Sequence, residues 1–367
     1  MADLSFRPDW FSKPGDTLLT LMEHRELTSD ALAQKLGRNI ATVSGLLSGS
    51  VEIDGDLADG LAKHVGGTAS FWLIRQSRYA SALDRATSAV PNEAGDTWLK
   101  QFPHSDISSY GWVSPKRRED RLKAYLAYFG VNDPQEWTER YANPLGVAFR
   151  TSPSFTSKAG ALSAWLRRAE LEAAAIHTAK WNPQRLRQKL LEIRPLTRSK
   201  APAHFLPRIR RICAEAGIAL VFVRAPSGCR ASGATRFLSP NKAMVILSFR
   251  YLSDDHFWFT FFHELGHLLL HGTSATFIDG GIEHITKQER EANEFSASVL
   301  IPPERKDELL DLKPRTERVI KFAFSLGVSP GIVVGQLQHN RVIKPNQLNF
   351  LKRHFTWDQI SAAASNP

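Results

Sequence analysis

The sequence predicts an α+β protein with an entirely helical front half and a C-terminal half that adds a small sheet. Apolar residues recur with helical spacing through 96–195, whereas 218–223 and 244–249 are short apolar runs of strand length. A long apolar helix is predicted around 257–270. Because 367 residues exceed one ordinary core, several domains are expected.

Four segments are predicted. They are an all-helical domain at 1–86, a helical middle region at 96–195, an α+β domain at 200–311 and a C-terminal helical extension at 312–367. Residues 87–95 (TSAVPNEAG) contain small residues, Pro and Gly, so they are predicted to be a linker.

The composition and the N-terminal residues indicate the cellular compartment. No apolar run reaches about eighteen residues, and the first residues lack the basic start and apolar core of a signal peptide. The chain has two cysteines, Cys213 and Cys229, which indicate no disulfide framework. We therefore expect a cytoplasmic protein with no membrane partner.

The pattern HExxH lies inside the apolar run 261–271 (FFHELGHLLLH). His263 and His267 are four residues apart, so on a helix they share one face and can both bind a single Zn²⁺. Glu264 is then the candidate catalytic base, because it can take a proton from a water molecule at the metal. The alternative is a core helix whose histidines only form hydrogen bonds.

A zinc hydrolase needs a third protein ligand, and the downstream segment 289–297 (EREANEFSA) is predicted to be a helix that offers one. Glu289 and Asn293 lie four apart, so Glu289 can bind the metal while Asn293 holds a ligating imidazole from outside. Glu291 is the rival third ligand.

Two further residues are candidates for a role at this site. His271 adds a third histidine to the first helix, but the glycine that metzincins need before it is absent. We therefore expect His271 to cap the helix beside Gly272 or to support the site from outside. Cys229 could occupy the open zinc position as a thiolate, although an ordinary loop role is favoured.

The motifs HELGHLLLH and EREANEFSASVLIPP together resemble the ImmA/IrrE family of zinc metallopeptidases, over roughly residues 200–310. The resemblance implies a gluzincin-like zinc endopeptidase with Glu289 as third ligand, acting on helix-turn-helix repressors. One departure is Ser296, where the family usually has Ala, and it leaves the ligands unchanged.

The N-terminal segment LTSDALAQKLGRNIATVSGLLSG predicts a helix-turn-helix. Thr28 and Asn39 are suited to cap its two helices, and Gly37 to make the turn. Residues 16–85 resemble the Cro/XRE class, in its HigA-like antitoxin branch. The candidate DNA-contacting residues lie at the start of the second helix: Arg38, Asn39, Ala41, Thr42 and Ser44.

Charge argues against strong duplex binding by this domain. The whole chain has a net charge of +10, but residues 1–85 contain nine Lys/Arg and eleven Asp/Glu. Since phosphate neutralisation dominates affinity for a duplex, we expect weak DNA binding and keep a protein-docking role open.

The sequence thus predicts a zinc endopeptidase that cleaves a transcriptional repressor or an antitoxin, in a transcriptional switch or a toxin–antitoxin module. Its expected partners are that protein substrate, with double-stranded DNA and a second copy of the chain as further candidates. The alternatives are a DNA-binding antitoxin with a structural or inactive zinc site, and an adaptor that uses the helix-turn-helix only for docking.

Two details of the cleft are also expected. The strand at 244–249 is predicted to run along the cleft, where an extended substrate would add as a further strand. Tyr251, His256 and His284 are the candidates to stabilise an oxyanion.

Overall fold

The computed structural model describes residues 12–113, 115, 117–142, 158–272, 277–278, 287–312 and 315–365. They form two compact units. Unit 1 contains the described residues within 1–146, 158–177 and 226–228, and unit 2 contains those within 178–225 and 229–367. The four segments expected from sequence follow other boundaries, since the middle region at 96–195 includes residues of both units, and they stay a prediction.

Unit 1 is helical wherever secondary structure is described. Its helices are α1 (Pro14–His24), α2 (Ser29–Leu36), α3 (Ile40–Ser48), α4 (Gly55–His64), α5 (Ala69–Ala89), α6 (Asn92–Leu99), α7 (His104–Ser109), α8 (Arg121–Phe129), α9 (Pro134–Trp137), the π-helical turn Thr138–Ala142, and α10 (Ala159–Ala175). Aromatic rings fill the space among α6, α8 and α9, for example Trp98 against Phe102 at a centroid separation of 5.2 Å.

The capping residues predicted for α2 and α3 are confirmed. Thr28 Oγ1 accepts a hydrogen bond from the Ala31 amide at 3.2 Å, and Asn39 Oδ1 accepts one from the Thr42 amide at 2.8 Å. Gly37 has φ +61°, the left-handed conformation that glycine adopts most easily, and makes the turn between the helices. DNA binding by this pair stays a prediction.

The linker predicted at 87–95 is wrong in extent, because most of the stretch is helical. α5 continues to Ala89 and α6 begins at Asn92. Val90 has φ −78° and ψ 121°, the extended conformation favoured in a residue that precedes proline. The break between the two helices therefore lies at Val90 and Pro91.

Unit 2 combines helices with a small sheet, in agreement with the α+β class. Its helices are α11 (Pro183–Ile193), α12 (Pro202–Glu215), α13 (Asp254–Leu270), α14 (Lys287–Leu300), α15 (Lys306–Leu310), α16 (Thr316–Leu326), α17 (Pro330–His339) and α18 (Trp357–Ser365). Its strands are β1 (Ile218–Phe222), β2 (Gly233–Ser239), β3 (Lys242–Leu247) and the two-residue β4 (Phe277–Ile278).

The strand order is β1-β3-β2-β4, which places β3 in the interior of the sheet. β3 pairs in parallel with β1 on one side and antiparallel with β2 on the other. Both of its edges are therefore used, and the expectation that a substrate adds to the strand at 244–249 is wrong. The sequence pattern missed β2, whose polar residues and initial glycine hide its strand character.

The C-terminal helices pack into the same core as α13. Phe322 on α16 and Val333 on α17 belong to the cluster that contains Trp258. No single described helix is long and apolar enough to cross a membrane; α16 and α17 pass that test only as a pair, bent by 109°. The first turn of α13 is also tied to this region, because Asp254 accepts a hydrogen bond from Ser329 Oγ at 2.7 Å.

A buried lysine precedes α1 in unit 1. The Lys13 residue is 4% exposed, and its ammonium donates to the Ser48 carbonyl at 3.3 Å. Burial, reinforced by the charge of Arg167, lowers the pKa of Lys13 to about 7 from 10.5. Between about pH 7 and 10.5 the Lys13 amine is therefore mostly neutral in the folded chain, whereas it is still protonated in the unfolded chain.

We expect Lys13→Met to stabilise unit 1 most at low pH, by about 1–2 kcal/mol near pH 6, because it removes a buried charge. The wild-type protein gains stability as pH rises above 7, since there the unfolded state binds the extra proton. The advantage of the variant should therefore shrink by pH 9. Denaturant unfolding at the two pH values measures this, and an equal difference at both would contradict the assignment.

Candidate metal centre

Helix α13 is anchored in the core by buried apolar side chains before and within its HExxH motif. Trp258, Phe261, Phe262 and Leu265 are fully buried in the core of unit 2. Gly266 lets α14 approach closely, since a Cβ there would lie 3.0 Å from Phe295 Cδ1. This packing presents one face of α13 to the first turns of α14.

Three side chains converge between these helices. His263 Nε2 lies 3.3 Å from one carboxylate oxygen of Glu289, and His267 Nε2 lies 3.3 Å from the other. The two Nε2 atoms are 3.0 Å apart, and the three ligand atoms lie within 4.8 Å of one another. Two imidazoles and a carboxylate at this separation form a donor set that can hold a metal ion, which we call the triad.

Each histidine of the triad has a partner for its other ring nitrogen. His263 Nδ1 is 3.0 Å from Asn293 Oδ1, which can only accept, so this nitrogen carries the proton. His267 Nδ1 is 3.0 Å from His271 Nδ1, and His271 Nε2 is 3.0 Å from Glu291. Because the Glu291 carboxylate accepts the proton of His271 Nε2, His271 Nδ1 accepts in turn from His267 Nδ1. The Nε2 lone pairs of His263 and His267 therefore point at the centre of the triad.

The electrostatics of the triad favour an ionised Glu289 and a neutral His267. Burial opposes ionisation of Glu289, but the adjacent His263 and His267 side chains outweigh this effect and lower the pKa of Glu289 to about 2. Burial lowers the pKa of His267, although the nearby Glu289 partly offsets this effect. Metal ligands need these protonation states.

Glu264 is fully buried and faces the beginning of β2. A Cβ on Gly233 would lie 2.5 Å from Glu264 Oε1 and 2.7 Å from Thr260 Cγ2. Thr235 Oγ1 also donates to the Glu264 backbone carbonyl at 3.3 Å. Glycine at position 233 therefore leaves the space that the Glu264 carboxylate occupies.

The remaining site predictions have different outcomes. Glu291, the rival ligand, pairs with His271 and lies outside the triad. Burial raises the pKa of Cys229 to about 12, and Cys229 is not among the side chains that converge at the triad. His256 lies eight residues before Glu264 on α13, about 12 Å along the axis, too far for an oxyanion at the triad.

Other predicted residues lie elsewhere. His284 is outside the described residues. Arg38, Asn39, Ala41, Thr42 and Ser44 all belong to the α3 region of unit 1. Within it, Asn39 Oδ1 also accepts from Thr42 Oγ1 at 2.9 Å, so both polar side chains are used in capping. Gly233 and Thr260 were missed, because no spacing along the sequence connects β2 with α13.

Residues 215–337 match the family model Peptidase_M78, described as the IrrE N-terminal-like domain. The matched segment contains the triad and Glu264. No curated protein and no solved structure matches the chain. The match supports a metallopeptidase-type enzyme of the IrrE/ImmA kind in this part of the chain.

We expect Gly233→Ala to displace the Glu264 side chain, because the added methyl group would overlap Oε1. Overpacking of this kind costs about 1–3 kcal/mol of stability. Peptide hydrolysis should fall much further than metal content, since the triad is not touched. Gly55→Ala is the control, because a Cβ there meets no atom within 4 Å. Hydrolysis by Gly233→Ala at the rate of that control would contradict the proposed contact.

Proposed function

We propose that unit 2 is a zinc-dependent endopeptidase. The observation that carries the proposal is the convergence of His263, His267 and Glu289, with the fully buried Glu264 next to His263 in the chain. Two histidines and one carboxylate leave a coordination position for water or substrate, which is the donor set of catalytic rather than structural zinc sites. The same convergence argues against an inactive relic.

In this mechanism each residue of the site has a separate role. A zinc ion held by the triad would supply Lewis acidity to the scissile carbonyl and to a water molecule. Glu264 takes a proton from the attacking water and then delivers it to the leaving amine. Asn293 and His271 keep both ligating imidazoles in one tautomer, so the donor atoms stay in place between turnovers.

We expect substitutions in the triad to remove the metal, and substitution of Glu264 to remove activity while the metal stays bound. His263→Ala, His267→Ala and Glu289→Ala should each remove most bound zinc, as measured by elemental analysis of the purified full-length protein. Glu264→Gln should keep zinc and lower the rate of peptide hydrolysis by about 10²–10⁴-fold, because it removes the proton carrier.

Glu294→Ala is the matched control, because it removes an exposed carboxylate from the same helix. Glu291→Ala should weaken zinc binding by about 10–100-fold without abolishing it, since it acts through His271. If Glu289→Ala kept its full zinc content and Glu291→Ala lost it, the third ligand would be Glu291.

The proposed substrate is a helix-turn-helix repressor or an antitoxin, cleaved in a transcriptional switch or a toxin–antitoxin module. Support comes from the family resemblance of unit 2 and from the capped pair α2–α3 on the same chain. In this proposal unit 1 brings the peptidase to its folded partner and raises the effective concentration at the cleft.

Docking is favoured over duplex binding because α3 contains no basic residue and presents Ile40, 42% exposed, at its start. The alternative function, a DNA-binding antitoxin or transcriptional regulator, is supported by Arg38, which is exposed just before α3. These two residues therefore provide separate tests.

We expect full-length Ile40→Asp to cleave the folded repressor or antitoxin more slowly, while cleavage of a short peptide is unchanged. Aspartate suits the first turn of a helix, so α3 should keep its structure. Arg38→Ala serves as control and should have little effect on either reaction. If Arg38→Ala instead abolishes tight duplex binding at physiological salt, the DNA-binding alternative is correct.

A further inference from the structure

A pocket lies beside the amino-terminal half of α13, outside the triad. It is formed where the end of β3, the connection from β3 to α13 and the start of β2 meet the helix. The residues that matter for its chemistry are Ser232, Phe249, Arg250, Tyr251, His256 and Thr260.

The connection that forms this pocket has an unusual backbone. Phe249 and Leu252 have φ +49° and +52°, a left-handed conformation that bulky residues rarely adopt. Phe249 is fixed by stacking on Phe257 at 4.3 Å, and the Leu252 carbonyl accepts from the Phe355 amide at 2.7 Å. Two such residues in one short loop store strain, which is typical of functional sites.

This backbone holds Arg250 and Tyr251 outward at the rim. The Arg250 guanidinium lies over the Tyr251 ring at 5.1 Å and donates to the Arg230 carbonyl at 2.5 Å. Tyr251 in turn stacks on His256 with ring centroids 4.2 Å apart. The rim is thus a stacked cation, phenol and imidazole, all of which can donate hydrogen bonds.

The described lining of the pocket contains no carboxylate. The two carboxylates that lie next to the lining residues in sequence have other partners: Asp254 accepts from Ser329 Oγ at 2.7 Å, and Asp255 is 2.7 Å from both Lys352 Nζ and Ser253 Oγ. Among the lining residues the guanidinium of Arg250 carries the formal charge, and an anionic group at the rim would complement it.

Thr260 belongs both to the pocket and to the surroundings of the candidate base. It lines the pocket and, with Glu264, borders the space at Gly233. Along α13, Thr260 and His256 lie about 6 and 12 Å from Glu264. An extended chain advances about 3.3 Å per residue, so a substrate running along α13 would place a side chain two to four positions from its scissile bond here.

We propose that the rim of this pocket is a specificity subsite that binds an acidic side chain of the substrate, with Arg250 and His256 as its recognition groups. The inference rests on the proposed peptidase function, and it adds the substrate class: proteins with Asp or Glu two to four residues from the cleaved bond. A carboxylate there pairs with the guanidinium by charge-assisted hydrogen bonds.

The test uses full-length protein and a library of random peptides, with cleavage products sequenced by mass spectrometry. We expect roughly tenfold enrichment of Asp or Glu over Gln at one position two to four residues from the cut. Arg250→Gln should remove most of this enrichment and His256→Gln part of it. Arg318→Gln, which removes an exposed charge on α16, should leave it unchanged. Cleavage with no acidic preference, or a preference that survives Arg250→Gln, would overturn the subsite.

A second measurement separates this proposal from the peptidase function. The same library is captured on the full-length Glu264→Gln variant, with and without Arg250→Gln, and the bound peptides are sequenced. Suppose that acidic peptides are enriched only when Arg250 is present, and that the wild-type protein cleaves no peptide. This result would support the subsite and reject the peptidase function. Absence of acidic enrichment on Glu264→Gln would reject the pocket even if the wild-type protein cleaves.

Discussion

The close approach of α13 and α14 at Gly266 is the contact on which the candidate metal centre depends. His263 and His267 come from one helix and Glu289 from the other, so their convergence requires a short distance between the helices. A methyl group at position 266 would press on Phe295 and Ala292. The glycine of the HELGH motif thus contributes to the site through packing, without touching a ligand atom.

Around the triad, the two histidines are oriented by different means. His263 donates to a neutral amide oxygen of Asn293, whereas His267 is connected through His271 to the carboxylate of Glu291. Both imidazoles carry their proton on Nδ1. The hydrogen-bond chain from His267 ends on the carboxylate of Glu291, however, and this negative charge makes the His267 imidazole the stronger electron donor. His271 therefore belongs to the site through its hydrogen bonds with His267 and Glu291.

Much of the candidate site follows from local spacing. A separation of four residues puts His263 with His267, and Glu289 with Asn293, on single helical faces, and both relations hold in the structure. The predicted caps of α2 and α3 hold for the same reason, since capping depends on residues three apart. The interior position of β3 was not foreseen, because strand order depends on pairing between distant segments.

The sequence by itself determined the helices that carry the triad, the candidate base and the caps of α2 and α3, since each depends on residues within one helix or one turn. The tertiary structure alone decided which glutamate faces the two histidines and that Gly233 makes room for Glu264. It also decided that Arg250, Tyr251 and His256 form one rim. These relations join segments far apart in the chain, and only the packing of the sheet against α13 and of α13 against α14 brings them together.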